Sequence, residues 1–197
     1  MRAARVVVAY EQPGGAKVHR FGLRNDNDFP TFFGVLSSIL DERCKPVWYH
    51  VQLPVRPNGS TGYVRADAVE LFPVSTWIDV DLSDRRIDLF EEGRRILRLT
   101  TAIGAPPTPT PLGRYYVNQR LRSLDPTGPY GPGAIGISAF SPVLTGWAQG
   151  GPIAIHGTNA PSSIGQSISN GCLRIDNESV ERLFELVHAG TPVVIKA

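Results

Sequence analysis

The sequence predicts a mainly β chain of two small domains, with one helix near the C-terminus. Three observations carry that expectation. Runs of β-branched and aromatic residues alternate with polar ones, at the two-residue period of a half-buried strand. Twenty glycines and 17 prolines punctuate those runs, as in a turn-rich architecture. One late segment, from Asp176 to Gly190, has instead the spacing of an amphipathic helix. At 197 residues the chain accommodates two small domains, each with its own core.

Residues 1–29 hold two turn signals, Pro13-Gly14-Gly15 and Asn25-Asp26-Asn27-Asp28, and nothing functional is assigned there. The string from Thr31 to Leu40 is apolar enough for a short helix or for buried strands, and the strand-like residues after it favour strands. Val47 to Leu53 alternates aromatic and β-branched residues, and Asn58-Gly59-Ser60-Thr61 reads as a hairpin turn before Gly62-Tyr63-Val64-Arg65. This run resembles a bacterial SH3-like domain, whose last strands are a tryptophan strand, a turn and a Gly-aromatic-Val strand. The resemblance implies a domain over residues 1–72, ending where Phe72-Pro73-Val74 interrupts the pattern, of a kind that often binds peptides or cell-wall polymer. In so small a barrel Trp48 and Tyr63 are expected in the core rather than along a groove. His50 has no partners at metal-ligand spacing and reads as structural.

The second domain, residues 75–197, opens as a meander. Trp77 to Leu82 is an alternating strand, Ser83 to Arg86 a turn, Ile87 to Phe90 a return, and Arg94 to Leu99 a third strand after Glu91-Glu92-Gly93. Asp79, Asp81 and Asp88 are read as solvated rather than as metal ligands, because no further ligand follows at a familiar spacing. Prolines stiffen Ala105 to Pro111 into an extended loop, after which Tyr115-Tyr116-Val117 resumes a strand. Residues 123–136 read as a long irregular loop, the place for a lid. Ile153-Ala154-Ile155 is a short apolar strand carrying His156 at its end, and Asn159 to Ile168 a loop returning from it. The helix starts with Asp176 or Asn177 as N-cap, buries Val180, Leu183, Phe184 and Val187, and stops before Gly190. His188 falls in its last turn and reads as a helix-end cation, and Val193-Val194-Ile195 is a closing strand.

The chemistry is concentrated in two stretches sixteen residues apart, Ile155-His156-Gly157-Thr158 and Ser169-Asn170-Gly171-Cys172-Leu173-Arg174. A thiol attacks an acyl carbon as thiolate, so it needs a base within hydrogen-bond reach, and His156 is the candidate. Gly171 permits a tight turn whose N–H groups, with that of Cys172, would face a developing oxyanion. No Asp or Glu lies between His156 and Cys172, so a backbone carbonyl beside the histidine is the candidate for fixing its tautomer.

The pattern His-Gly-Thr, a gap, then Ser-x-Gly-Cys-x-Arg resembles the signature of the L,D-transpeptidase catalytic domain, the cysteine enzymes that cross-link bacterial peptidoglycan. Thr108 to Gly113 resembles the segment that precedes the active-site strands in that family. The resemblance implies an L,D-transpeptidase-type β-sandwich, acyl transfer on peptidoglycan stem peptides, Cys172 as nucleophile, His156 as base and Gly157 as the residue whose carbonyl orients it. Arg174, two residues beyond the thiol and so on the same strand face, is a candidate either to pair with a substrate carboxylate or to form a structural salt bridge. Ser169 and Asn170 are candidate substrate contacts, and so are Tyr130 and Trp147 near a flap, with packing as the alternative reading. Many members have a second histidine where this chain has Asn170, a departure that bears on the acceptor. A sortase-like transpeptidase uses His, Cys and Arg in the same order, but with wider spacing. A binding protein with a degenerate catalytic fold is the non-enzymatic alternative.

Composition narrows the partners. Nine basic and seven acidic residues precede residue 75, and eleven of each follow, which gives neither half the basic excess of a nucleic-acid binder. No metal and no cofactor are called for, and no apolar stretch reaches the roughly 20 residues of a membrane span. The family resemblance places the protein in the cell envelope, although the apolar run Val6 to Ala9 is shorter than a signal-peptide core. Cys44 lies in a polar run, and a Cys44–Cys172 disulfide, which would consume the nucleophile, is disfavoured.

Overall fold

The computed structural model describes residues 1–197, Ala148 by its backbone alone. The chain forms two compact units, Met1–Pro73 and Val74–Ala197.

In the first unit the strands are β1 (Arg2–Ala3), β2 (Val7–Tyr10), β3 (Lys17–Phe21), β4 (Gly34–Leu40), β5 (Pro46–Gln52), β6 (Thr61–Arg65) and β7 (Val69–Glu70). Five of them make one sheet in the order β3-β2-β6-β5-β4, and β1 pairs with β7. Val7, Ala9, Phe33, Tyr49, Val51, Leu53 and Val64 form its core. Two expectations are corrected here. Trp48 and Tyr63 are not core residues: strand alternation gives the inner face to Tyr49, Val51 and Val64, so their neighbours turn outward. There Trp48 meets Tyr10 edge-on at 5.3 Å, and Tyr63 stacks on His50 at 4.7 Å. The stretch from Gly34 to Leu40 is a strand, but an exposed one, because β4 lies at the edge of the sheet.

The second unit contains β8 (Thr76–Asp81), β9 (Arg86–Glu91), β10 (Arg94–Thr100), β11 (Ile103–Gly104), β12 (Gly113–Arg122), β13 (Gly133–Phe140), β14 (Pro152–His156), β15 (Ser167–Ser169), β16 (Leu173–Arg174), α1 (Asn177–Leu186) and β17 (Pro192–Lys196). Eight strands run in the order β10-β9-β8-β17-β12-β13-β14-β16, while β11 and β15 pair separately. The expected meander is present as β8, β9 and β10, joined antiparallel. The closing strand β17 inserts between β8 and β12, parallel to the first and antiparallel to the second. Ile78, Val80, Ile87, Val117, Ile135, Ile155, Leu173 and Val193 share one core with Val180, Leu183 and Phe184 of α1. The chain is thus mainly β with one α-helix, as the sequence predicts.

Differences from expectation are local. The irregular loop ends at Pro132, since Gly133 to Gly136 already pair with β12 and β14. Asp176, not Asn177, caps α1, its carboxylate accepting from the Ser179 N–H at 2.8 Å. His188 lies beyond the helix, whose cap is Val187, and turns through a backbone bond from Thr191 N–H to its carbonyl. Among the described residues no helix is long and apolar enough to cross a membrane, and no group of His, Cys, Asp and Glu is arranged to hold a metal. Both cysteines are free thiols, Cys44 on the surface.

Asp88 is buried rather than solvated, at 6% exposure. Arg98 donates to it twice, at 2.7 and 3.0 Å, and Arg86 once at 3.1 Å. The Arg98 guanidinium beside it holds its carboxyl below the usual carboxylate range. This clamp joins β9 to β10 at the sheet edge. Replacing Asp88 with Ala is expected to lower the unfolding free energy by about 1–3 kcal/mol, the penalty for stripping charge-assisted donors of their acceptor. Urea unfolding checks it, and Asp81→Ala, which removes a more open carboxylate, is the milder comparison.

Candidate active site

The site is built where β14 and β16 run side by side. In the sequence Pro152-Ile153-Ala154-Ile155-His156, Ile153 and Ile155 enter the core, so Ala154 and His156 share the opposite face. The strands are parallel and in register at Ile155 with Leu173 and His156 with Arg174. Leu173 follows Ile155 into the core, which leaves Arg174 beside His156 and sets Cys172 against the strand upstream of it. The Cys172 thiol lies 3.9 Å from the Pro152 carbonyl oxygen and accepts from the Ala154 N–H.

His156 is 4% exposed, and its Nδ1 is 2.5 Å from the Gly157 carbonyl oxygen. A carbonyl only accepts, so Nδ1 carries the proton and Nε2 is the basic nitrogen. Burial, opposed by the Gly157 carbonyl and aided by the Arg174 charge, lowers the imidazole pKa to about 4. Burial also pushes the Cys172 thiol up, the Ala154 N–H and Arg174 pulling the other way. The resting pair at neutral pH is therefore thiol and neutral imidazole, not thiolate and imidazolium.

The turn before Cys172 is held from inside. Gly171 has φ +108°, and a Cβ there would come within 2.9 Å of Ile153 Cδ1. Ser169, expected at the substrate, is instead 1% exposed beneath the turn: its hydroxyl donates to the Cys172 carbonyl at 2.6 Å and accepts from the Gly171 N–H at 3.1 Å. The Gly171 N–H is thereby spent, and of the two expected oxyanion donors the Cys172 N–H is the one that this bonding leaves at the turn. Thr110 Oγ1 donates to the Gly171 carbonyl at 2.9 Å, and Thr108 Oγ1 to the Ser169 carbonyl at 3.0 Å. Neither threonine was singled out as a site residue, and the Thr-Pro-Thr-Pro repeat, which forces an extended chain, was the available signal.

Of the expected substrate contacts, Tyr130 reaches the site: its ring stands edge-on to His156 at 4.9 Å while 53% exposed. Asn170 is exposed next to the turn, and Arg174 is half-buried. Trp147 is exposed, and among the described residues no ring contact or hydrogen bond ties its side chain to His156 or Cys172. Asn177, at the first position of α1, was considered only as a helix cap. Its Oδ1 accepts from the Thr158 N–H at 2.8 Å. Side chains at Gly131 or Gly157 would collide with that amide, their Cβ positions lying 2.2 and 2.3 Å from Oδ1.

Residues 75–195 match the family model described as YkuD, the L,D-transpeptidase catalytic domain. A curated relative carrying the YkuD name in Bacillus licheniformis is 35% identical over 118 residues, which cover 60% of this chain and 64% of that protein. Its Bacillus subtilis counterpart is 33% identical over the same shares. The chain thus spans less than two thirds of the length of these relatives. Among solved structures, an L,D-transpeptidase from Mycobacterium tuberculosis superposes with TM-score 0.53 at 15% identity, covering 100% of this chain and 95% of that one. L,D-transpeptidase 3 of the same organism, in complex with a faropenem-derived adduct, has TM-score 0.52 at 13% identity, covering 86% and 95%. At these identities the structures testify to the fold alone.

The turn generates a prediction. Gly171→Ala adds a methyl against Ile153 in a left-handed conformation and is expected to destabilise by about 1–3 kcal/mol. It should also slow Cys172 alkylation by iodoacetamide, because the thiol is carried on the next residue. Thermal unfolding and alkylation mass spectrometry test both.

Proposed function

Because the chain belongs to the YkuD family of L,D-transpeptidase catalytic domains, we propose that its second unit is a cysteine L,D-transpeptidase acting on peptidoglycan stem peptides in the cell envelope, with Cys172 as nucleophile and His156 as base. One observation carries the residue assignment. The Gly157 carbonyl occupies Nδ1 of a buried imidazole, so that Nε2 is the nitrogen with a lone pair to offer a thiol seated along the same strand.

The steps balance with these groups alone. Nε2 takes the Cys172 proton as sulfur attacks the carbonyl carbon of the L,D peptide bond between the third and fourth stem residues. The tetrahedral oxyanion is met by the Cys172 N–H, and loss of one such donor typically costs about two to three orders of magnitude in rate. As the C–N bond breaks, Nε2–H protonates the departing D-amino acid, leaving a thioester. An acceptor amine of a neighbouring stem then attacks the thioester and gives its proton to Nε2, and as the C–S bond breaks Nε2–H returns that proton to sulfur, restoring the thiol. Water in place of that amine would make the enzyme an L,D-carboxypeptidase. Arg174, whose charge disfavours imidazolium next to it, is the proposed partner of a substrate carboxylate. Tyr130 and Asn170, exposed around the pair, are the other proposed substrate contacts, with Trp147 farther out. The first unit is proposed to be an SH3-like module, its outward aromatic residues Tyr10, Trp48 and Tyr63 offering a surface for wall polymer.

A carbapenem is expected to acylate Cys172, seen as an intact-protein mass shift absent from Cys172→Ala. A tetrapeptide-bearing muropeptide should yield dimer, or a trimmed tripeptide where water is the acceptor. Folded protein that forms neither adduct nor product would leave the wall-binding reading in place of the enzymatic one.

The pH profile is a separate check. His156 works as base only when neutral, and its pKa is held near about 4. Acylation should therefore stay level from neutral pH into the mildly acidic range and fall as pH drops through about 4. An acid limb near 6.5, the ordinary histidine value, would contradict the buried neutral base.

A further inference from the structure

The peptide unit joining Gly157 to Thr158 is gripped at both ends. Its carbonyl oxygen accepts from His156 Nδ1 at 2.5 Å, and its N–H donates to Asn177 Oδ1 at 2.8 Å. In a trans peptide C=O and N–H point to opposite sides of one rigid plane, so a hold on the N–H fixes where the carbonyl aims. We propose that Asn177 is a positioning residue, whose side-chain carbonyl sets the plane of the 157–158 peptide and through it the tautomer and orientation of the His156 imidazole. This rests on the reading of His156 as the base.

Three features support the assignment over a capping or filling role. Capping belongs to Asp176, which accepts from both Ser179 N–H and Ser179 Oγ, so α1 does not need Asn177 for its N-terminus. Gly131 and Gly157 both lack the Cβ that would strike the Asn177 amide, and a Cβ on Gly157 would also lie only 3.1 Å from Gly131 Cα. The amide is therefore packed between the irregular loop 123–132 and the segment that carries the base. The same loop presents Tyr130 edge-on to the ring of His156, at 4.9 Å. Accepting a backbone N–H also polarises the peptide and strengthens its carbonyl as an acceptor, which favours Nδ1–H over Nε2–H. The base lacks a carboxylate partner of the kind that orients histidine in serine hydrolases, and a peptide dipole tied down by Asn177 supplies the orientation instead.

The test compares Asn177→Ala and Asn177→Asp with the unaltered protein. The readouts are nitrogen-15 NMR of the His156 tautomer, the kcat-against-KM split on a tetrapeptide muropeptide, and thermal unfolding. Asn177→Ala is expected to give a mixed tautomer and to lower kcat by about 10- to 100-fold, the usual range for losing a group that orients a functional histidine, with KM little changed. Asn177→Asp keeps the acceptor, so the Nδ1–H tautomer should persist, and its added negative charge should move the acid limb of the pH profile upward. An unchanged tautomer and kcat in Asn177→Ala, with only the unfolding temperature lowered, would overturn the proposal. Should Asn177→Ala not fold, Asn177→Asp decides it, since an acid limb that stays in place would mean the side chain does not communicate with His156. The tautomer readout needs no turnover, which separates this proposal from the enzymatic reading. A wild type without Cys172-dependent product would sink the latter, whereas normal turnover with an indifferent tautomer would sink only the former.

Discussion

Parallel pairing of β14 with β16 is the constraint on which the site depends. Parallel neighbours cannot be joined by a tight hairpin and need a crossover of a dozen or more residues. The sixteen residues between His156 and Leu173 are that crossover. It is pinned midway, where β15 pairs in parallel with β11 through Ile103–Ser167 and Gly104–Ser169. Ala102 and Arg174 form a further bridge, so the chain around β11 supports both the crossover and the strand that follows the thiol. The Thr108 and Thr110 hydroxyls complete the support by bonding carbonyls of the turn itself. Backbone register thus sets the histidine and the cysteine on the same face of neighbouring chain segments, and polar side chains beneath the turn brace the segment that carries the thiol.

Burial sets the chemistry that this geometry permits. Removing His156 and Cys172 from water raises the free energy of both charged forms, so the neutral pair predominates at rest. In the proposed mechanism charge appears only as the substrate reacts, in surroundings of low dielectric where the Cys172 N–H and Arg174 would act strongly on it. A thiol that stays protonated until an acyl group is positioned is also protected from adventitious oxidation and alkylation. In the proposed mechanism a less nucleophilic ground state is offset by His156 as base on the neighbouring strand.

Much of the site was legible in the residues because its signature is local in sequence: His156-Gly157-Thr158 and Ser169 to Arg174 each lie within one turn or strand end. The strands of the second unit were legible for the same reason, since a two-residue alternation such as Trp77 to Asp81 reports its own burial. Where alternation had no long-range reference it misled. Trp48 and Tyr63 have core-like side chains, yet Tyr49 and Val64 claim the inner face, and only the partner strands decide which parity points inward. The place of Ser169 beside the motif suggests a substrate contact, yet a hydroxyl two residues before a buckled glycine has backbone groups closer at hand.

By itself the sequence determined the β-rich class, the late helix and the two stretches that hold the candidate thiol and imidazole, because period, turn residues and reactive groups are properties of short segments. Tertiary structure alone decided the protonated nitrogen of His156, the neutral state of the pair, the inward role of Ser169 and the hold of Asn177 on the Thr158 N–H. Each of those depends on which atoms from distant segments displace water around a polar group, and that displacement exists only once the strands have paired.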